Sequence, residues 1–578
     1  MIRFNNSHID VTTSFFSCSW IFFIGILIQC FFTILPLCII YKFILKSKKG
    51  SETTIANIDY IILIFLFCIG FFIRTFQAGM QFPAGIEQDE YLWIHEGILS
   101  MAGTYNPFRL GIFGIPVLQN SIPAIIVSEF GFDAYTLRLW SSFLGSLLPV
   151  LSYFLVQKLF KYLNPQSTEI ISTRHDSQRI AALAVAIFFA FTPYVVFYGR
   201  IVSGSRMLYN VLGCILLFIY LIERKNSTFL QTILFGLLIG LSVAYTSYDY
   251  FAIRSFLLYC VAISFCSVFF IRINFKKSFF FIFSLIGFSL GILPAYFTTY
   301  DFVTGISTRM NEQSVVSEMI NLNFDLIFRQ LKQTALMFHQ HVPLGRDAWF
   351  SETRLTPLPL ISCIFFSIGL VLCTARPTKF SFFLLMALCV SLFPTIFSSN
   401  PPDSHRAIVS LIPVGLIIGY GFTVLPVKSY KYFNLRYICL FLMLLNSFFS
   451  TTKWFFGEDI FAARFADNLY KLSRDIQNTL PEPYKKNLGQ NYSFYETSIF
   501  STRDPFVGYY AMIPGIEYFQ VGLSELPDVT LKKGCNIFYL EASQVNLLPN
   551  IIRKYPESKI STFYSIDFEK LTLVYVFN

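Results

Sequence analysis

Charge is scarce in this sequence. Asp, Glu, Lys and Arg make up 13% of its 578 residues, against roughly 25% in a soluble globular domain. The 12 cysteines contain no CxxC pair; all but Cys535 sit in or beside apolar segments. That excludes a disulfide framework and a thiolate zinc site, and leaves the thiols as small membrane hydrophobes. GxGxxG, P-loop and HExxH patterns are absent, and the one GxSxG match, GFSLG at 287–291, lies inside an apolar run without the strand–turn–helix context of a nucleophile elbow, so no motif supports dinucleotide, nucleoside triphosphate, serine-hydrolase or zinc-protease chemistry. The first apolar run, 18–45, is too long for a signal-peptide core and has no basic segment ahead of it, so no cleavable signal peptide is expected.

What is abundant is apolar surface: 54% hydrophobic residues, with 69 Phe and 32 Tyr. A soluble domain carrying that surface would aggregate, whereas a chain that repeatedly crosses a bilayer would not. About 20 apolar residues cross the hydrocarbon core as a helix. On that criterion about twelve spans are expected, at 18–44, 57–77, 137–160, 180–198, 207–222, 229–247, 253–273, 278–298, 357–374, 379–397, 405–426 and 433–450. The net charge of +10 does not point to nucleic acid, because the cations lie in short loops and lack a basic face interleaved with aromatics. KSKK (46–49), QKLFKYL (157–163), ERK (223–225), RINFKK (272–277), ARPTK (375–379) and VKSYKYFNLR (427–436) are all basic. They share one side if the N-terminus is outside, and that side is the cytoplasm.

Three units are expected. Residues 1–56 form an extra N-terminal span and a cytoplasmic linker. Residues 57–450 form the transmembrane domain, with long external loops at 78–136 and 299–356. Residues 451–578 form a small external α/β domain, read from GCNIFYLEA, a helical stretch near 543–554 and the terminal LTLVYVF. The fold class is thus an all-α polytopic membrane protein with a small C-terminal α/β domain.

Against this background GIEQDEYLWIHEG (85–97) carries four acids. Tyr91, Ile94, Ile98 and Met101 recur at helical spacing, as in an interfacial helix lying on the membrane. Asp89 and Glu90 then fall near its N-terminus, where the helix dipole favours anions; capping and solvation explain such a pair as well as chemistry does. Other external points supply cations and polar groups: Arg200 and Arg206 in YGRIVSGSR, Tyr245, Tyr248, Asp249 and Arg254 in YTSYDYFAIR, and Asp403, His405 and Arg406 in NPPDSHRA. Arginine suits a phosphate because its planar fork donates two parallel hydrogen bonds, though each of these cations also fits a snorkelling or acid-pairing role.

These segments resemble the GT-C superfamily of integral-membrane glycosyltransferases, in particular its family 39-like protein mannosyltransferase and aminoarabinose transferase group. GIEQDEYLWIHEGILSMAGTYNPF is similar to the "DE" loop of that group, and LRLWSSFLGSLLPVLSYFLVQKLF to the helix after it. TPYVVFYGRI resembles a "P…SR" element, with Gly199 where serine is usual. GLLIGLSVAYTSYDYFAIR and PPDSHRAIVSLIP resemble two later elements. The resemblance covers about 57–426; the 18–44 span is less usual, and the tail resembles nothing assigned. It implies a polyprenyl-phosphate-linked sugar donor and transfer on the external or lumenal face, with Asp89 as catalytic base and Glu90 at the second motif position. Arg200, His405 and Arg406 are then candidate phosphate contacts beside Arg206, with Tyr248 and Arg254 shaping the pocket. His95 and Glu96 stand behind the acids, while Glu87 and Arg138 fit structural roles. No cofactor is required, and a divalent ion at Asp89, Glu90 and His95 stays open as an alternative. His339, His341 and 345–354 could line an acceptor entrance. The acceptor could be a protein, a glycolipid or a wall polymer.

A transporter or flippase of lipid-linked saccharides shares this composition. It differs in needing a continuous polar path between the two faces, where a transferase concentrates charge at one rim. The loop charges also predict topology: a reporter active only outside the cytoplasm, fused after Asn578, will be active. Activity of a cytoplasm-only reporter at that position would invert the whole assignment.

Overall fold

The computed structural model describes residues 20–48, 57–76, 78–79, 81–84, 88–109, 117–130, 134–163, 171–201, 204–222, 228–249, 256, 260, 275–298, 323–338, 358–398, 404–425, 434–456, 492–496, 516–520, 535–540, 546–564 and 570–577. Within them runs a helical bundle. It is built from α1 (Trp20–Lys48), α2 (Asn57–Thr75), α3 (Gln88–Met101), α4 (Ser121–Phe130), α5 (Ala134–Leu163), α6 (Ile171–Phe191), α7 (Pro193–Gly199), α8 (Gly204–Ile222), α9 (Phe229–Ser247) and α10 (Phe275–Thr298). It continues with α11 (Phe324–Leu336), α12 (Leu360–Ala375), α13 (Lys379–Ile396), α14 (Ser404–Ala407), α15 (Leu411–Phe422) and α16 (Leu435–Phe456). The strands Ala78–Gly79 (β1) and Gln81–Ala84 (β2) lie between α2 and α3.

Seven of the described helices are long and apolar enough to cross a membrane, or eight if α6 and α7 form one broken span. This differs from the expected twelve. The runs at 357–374, 379–397 and 405–426 yield shorter apolar helices. α12, with 16 residues, is about 24 Å long at 1.5 Å per residue, short of a hydrocarbon core of ~30 Å. The third run is divided by a 3-10 turn at Ile408–Ser410. Hydropathy counts apolar residues whether or not one helix joins them. Apart from Phe256 and Cys260, the expected span 253–273 lies outside the described residues.

α1 is integrated into the bundle. Tyr209 of α8 donates from its hydroxyl to Thr33 O at 2.6 Å, the Ile122 amide of α4 donates to Gln29 Oε1 at 3.2 Å, and Phe32 stacks on Tyr245 at 4.6 Å. α2 carries Asp59 in its first turn and Arg74 in its last, the arrangement its dipole favours. Both are fully buried and stand roughly 22 Å apart along the helix. At one end, Arg179 of α6 grips Asp59 (Nη2 to Oδ1, 2.7 Å). There the Tyr153 hydroxyl of α5 donates to Asp59 Oδ2 at 2.6 Å, and Gln157 donates to the Tyr153 oxygen at 2.7 Å. At the other end Arg74 reaches the last turn of α6, and Ser142, early in α5, donates to Arg74 O at 3.4 Å. α2 and α6 therefore run in the same direction and α5 runs against them. The space between is filled by side chains such as Leu66, Leu148, Leu151 and Ala186.

In the C-terminal region β3 (Tyr492–Glu496), β4 (Ile516–Gln520), β5 (Cys535–Leu540), β6 (Lys559–Tyr564) and β7 (Lys570–Phe577) form one sheet in the order β4-β3-β5-β7-β6. The β3–β4 and β3–β5 pairs are parallel; β7 is antiparallel to both its neighbours. α17 (Leu548–Lys554) contributes Ile551 to a core with Phe538, Leu540, Val574 and Val576.

The Asp59 cluster yields a stability prediction. Asp59→Ala leaves the Arg179 guanidinium and the Tyr153 hydroxyl without their acceptor, and will cost roughly 3 kcal/mol. That is the low end for removing one member of a buried pair, because Arg179 is 23% exposed. Thermal unfolding in detergent measures it; an unchanged midpoint would refute the role of the cluster.

Candidate functional site

The helix that carries the DE pair is docked on protein. Ile94, Ile98 and Met101 are buried, and Met101 packs with Phe22 and Ile26 of α1 and Ile125 of α4. This corrects the expectation of an interfacial helix: its apolar stripe faces the first span and α4 instead of lipid. Gly97 permits the approach, since a Cβ there would lie 2.8 Å from Asn120 O and 2.9 Å from Ala124 Cβ. Backbone positions 88–101 are helical, so Asp89 sits in the first turn of α3; its side chain and those of Tyr91 and His95 lie outside the described ones.

Glu90, one residue on, is fully buried and forked by Arg138 of α5. Arg138 Nε donates to Oε1 at 3.0 Å and Nη2 to Oε2 at 2.6 Å. This bidentate geometry ties the start of α3 to the start of α5. It also argues against Glu90 as a metal ligand, because both of its oxygens face a guanidinium. Among the described residues no three His, Cys, Asp or Glu side chains gather as metal ligands.

Arg200 follows α7. The α6–α7 unit bends by 55° at Thr192 and Pro193. Proline has no N–H to continue the ladder, and the carbonyls of Phe189, Ala190 and Phe191 acquire side-chain donors instead. Arg74 Nη2 donates to Phe189 O at 2.9 Å and Nη1 to Ala190 O at 3.2 Å, while the Thr451 hydroxyl of α16 donates to Phe191 O. The bend carries Arg200 to the end of α2, where its Nη1 donates to Ile73 O at 2.6 Å and Phe76 O at 3.1 Å. Its guanidinium lies 5.4 Å from the Phe455 ring centre, one turn beyond Thr451. Burial, and after it the charges of Arg138 and Arg74, pull the Arg200 guanidinium down to about 9, so it stays cationic at neutral pH.

Arg206 begins α8 and is also fully enclosed. Nε and Nη2 meet the Asp249 oxygens at 3.2 and 3.3 Å. Nη1 donates to Gln119 O and, at 3.3 Å, to Asn120 Oδ1, and Asn210 donates to Asp249 at 3.3 Å. Arg206 therefore locks α8, the chain after α9 and the turn before α4 together. Tyr248 is inserted into the α10 ladder beside Pro294: its hydroxyl donates to Gly291 O at 2.9 Å and accepts from the Ala295 amide at 3.2 Å. Burial pushes that hydroxyl up to about 12, against the opposing pull of the Ala295 amide. Arg406 is half-buried in α14. The His405 side chain, and all of Glu87, Arg254, His339, His341, 345–354 and Asp403, lie outside the described residues.

The sequence reading passed over Arg74, Gln119, Asn120 and Asn210. For Arg74 a signal existed: it is the single charge in the run from 60 to 86. Its partner signal is Gly199. A Cβ at Gly199 would lie 2.5 Å from Arg74 Cδ, so serine, usual at this motif position, does not fit here.

No protein-family model and no curated protein matches this chain. Solved structures do. The chain aligns with the crystal structure of ArnT from Cupriavidus metallidurans in the apo state at a TM-score of 0.52 and 9% identity, covering 90% of this chain and 98% of that one. Against the same protein bound to undecaprenyl phosphate the TM-score is 0.51 at 8% identity, with the same coverage. The chain shares that fold. It is accordingly a multi-pass, helical membrane protein whose architecture is consistent with the GT-C resemblance of its motifs.

The fork at Glu90 predicts that Arg138→Lys will destabilise the protein nearly as much as Arg138→Ala, by roughly 3–5 kcal/mol. An ammonium cannot span both carboxylate oxygens. Unfolding midpoints of the two variants check this, and a lysine variant as stable as wild type would overturn it.

Proposed function

We propose that this protein is a membrane glycosyltransferase that moves a sugar from a polyprenyl phosphate to an acceptor hydroxyl on the external face. The observation that carries this reading is the likeness, over nearly the full length of both chains, to ArnT, one of whose structures holds undecaprenyl phosphate. The charge distribution supports it. Arg74, Arg138, Arg200 and Arg206 are buried at the end of the bundle where α3 starts, and the Asp59 cluster lies at the opposite end. Among the described residues no charged side chain of α2 lies between Asp59 and Arg74. That favours a transferase, whose charges serve one rim, over a transporter, whose charges bridge both faces.

In this scheme Asp89 accepts the proton of the acceptor hydroxyl as its oxygen bonds the anomeric carbon. The bond from that carbon to the phosphate oxygen breaks on the opposite side, its electron pair stays on the phosphate, and the configuration inverts. Arg200, His405 and Arg406 hold the departing phosphate, because cations aimed at developing charge lower the barrier. Glu90 acts through Arg138 to fix the start of α3 and so the height of Asp89. Arg206, Tyr248 and Arg254 shape the cavity wall. Donor sugars such as mannose, glucose and aminoarabinose fit this frame equally, as do protein, glycolipid and wall-polymer acceptors.

Asp89→Asn will express and insert normally but lose transfer by roughly 10²–10⁴-fold, the usual worth of a positioned base. The assay uses membranes with the polyprenyl-linked sugar that accumulates, by mass spectrometry, in cells lacking the protein. Turnover by the variant at the wild-type rate would remove the base; an unchanged lipid-linked pool in the deleted cells would remove the reaction.

A further inference from the structure

Arg74 has no place in the scheme above, yet it is fully buried and none of its hydrogen bonds goes to a carboxylate among the described residues. Among the described residues its guanidinium donates only to main-chain carbonyls, those of Gly70, Phe189 and Ala190, and its Nε meets no acceptor there. Burying a cation without an acid is costly. Recapping carbonyls does not require it, since Thr451 caps the adjacent Phe191 carbonyl with a neutral hydroxyl.

The geometry shows what a neutral cap would not supply. Arg74 crosses from α2 to the end of α6, and Arg200, eight residues past Thr192, crosses back to Ile73 O and Phe76 O, which flank Arg74. The two arginines thus exchange main-chain acceptors across the broken helix. Two glycines make room for the Arg74 side chain: a Cβ at Gly145 would stand 2.8 Å from its Nε, and one at Gly199 would stand 2.5 Å from its Cδ. Ser142 ties the same two strips together, donating to Gly199 O at 3.0 Å and Arg74 O at 3.4 Å.

We infer that Arg74 is a positioning residue for the donor phosphate: by fixing the α6–α7 bend and the end of α2, it sets the place of Arg200, and its own charge reinforces the anion-attracting field there. This rests on the proposed function for the identity of the anion. A merely structural arginine would support folding and leave phosphate recognition untouched.

The test measures equilibrium binding of undecaprenyl phosphate and of undecaprenol to the full chain in detergent, and takes the ratio of the two affinities. Wild type will prefer the phosphate at least about tenfold, and Arg200→Gln will erase most of that preference, as loss of a charged hydrogen bond implies. Arg74→Gln will reduce the preference by about tenfold and Arg74→Lys by a few-fold, because lysine keeps the charge without the two-pronged reach. Arg74→Lys combined with Arg200→Gln will be no weaker than Arg200→Gln alone, the non-additivity expected of residues that act through one another. Should Arg74→Gln fail to fold, Arg74→Lys and Gly199→Ala, whose methyl pushes against Arg74, decide the matter. Arg74 variants that melt earlier but keep the wild-type preference, or whose effect adds fully to that of Arg200→Gln, overturn the inference alone. A wild type that binds both lipids equally overturns the phosphate-linked donor and the inference together.

Discussion

A carbonyl released inside a bilayer has no water to turn to, and the break at Pro193 releases several. Spanning structures tolerate such breaks only where neighbouring side chains take over the freed acceptors. Here Arg74 from α2 and Thr451 from α16 do so. Much of the architecture at this end of the bundle follows from this repair. The 55° bend delivers Arg200 to the end of α2, and the return bonds of Arg200 hold α2 in turn. α5 has to approach closely enough for Ser142 to reach both strips, which fixes the level of Arg138 and thereby of Glu90 and α3.

The same economy governs the other charges. Each buried arginine described at this end is held by a fork, a main-chain acceptor or a ring, and in low dielectric such fixed donors act without reorganising. Glu90 and Asp249 each anchor one arginine. The field is therefore built from immobilised groups. The mobile partner such a field suits is an anion.

Several motif residues prove to have packing duties. In GLLIGLSVAYTSYDYFAIR, Gly236 gives α9 its close contact with α10, where a Cβ would meet Phe280 O at 2.6 Å. Tyr248 patches the α10 ladder at Pro294, and Asp249 anchors Arg206. AIVSLIP lies wholly inside the bundle. Such residues are legible as a pattern because the pattern records shape, but the pattern does not say which member meets substrate and which meets a neighbouring helix.

The sequence by itself determined the membrane class, the location of most long spans, the placing of basic residues in short loops, and the acidic helix start at Asp89 and Glu90. These are local properties: hydrophobic length, charge scarcity and capping preference act over one turn or one helix. Only the tertiary structure decided that α3 lies on α1 and α4, that Glu90 belongs to Arg138, that Arg206 belongs to Asp249, and that Arg74 and Arg200 trade acceptors. Those choices depend on which helix ends meet. The meetings are set by close-packed glycines and by carbonyls in need of donors, quantities that no single stretch of the chain contains.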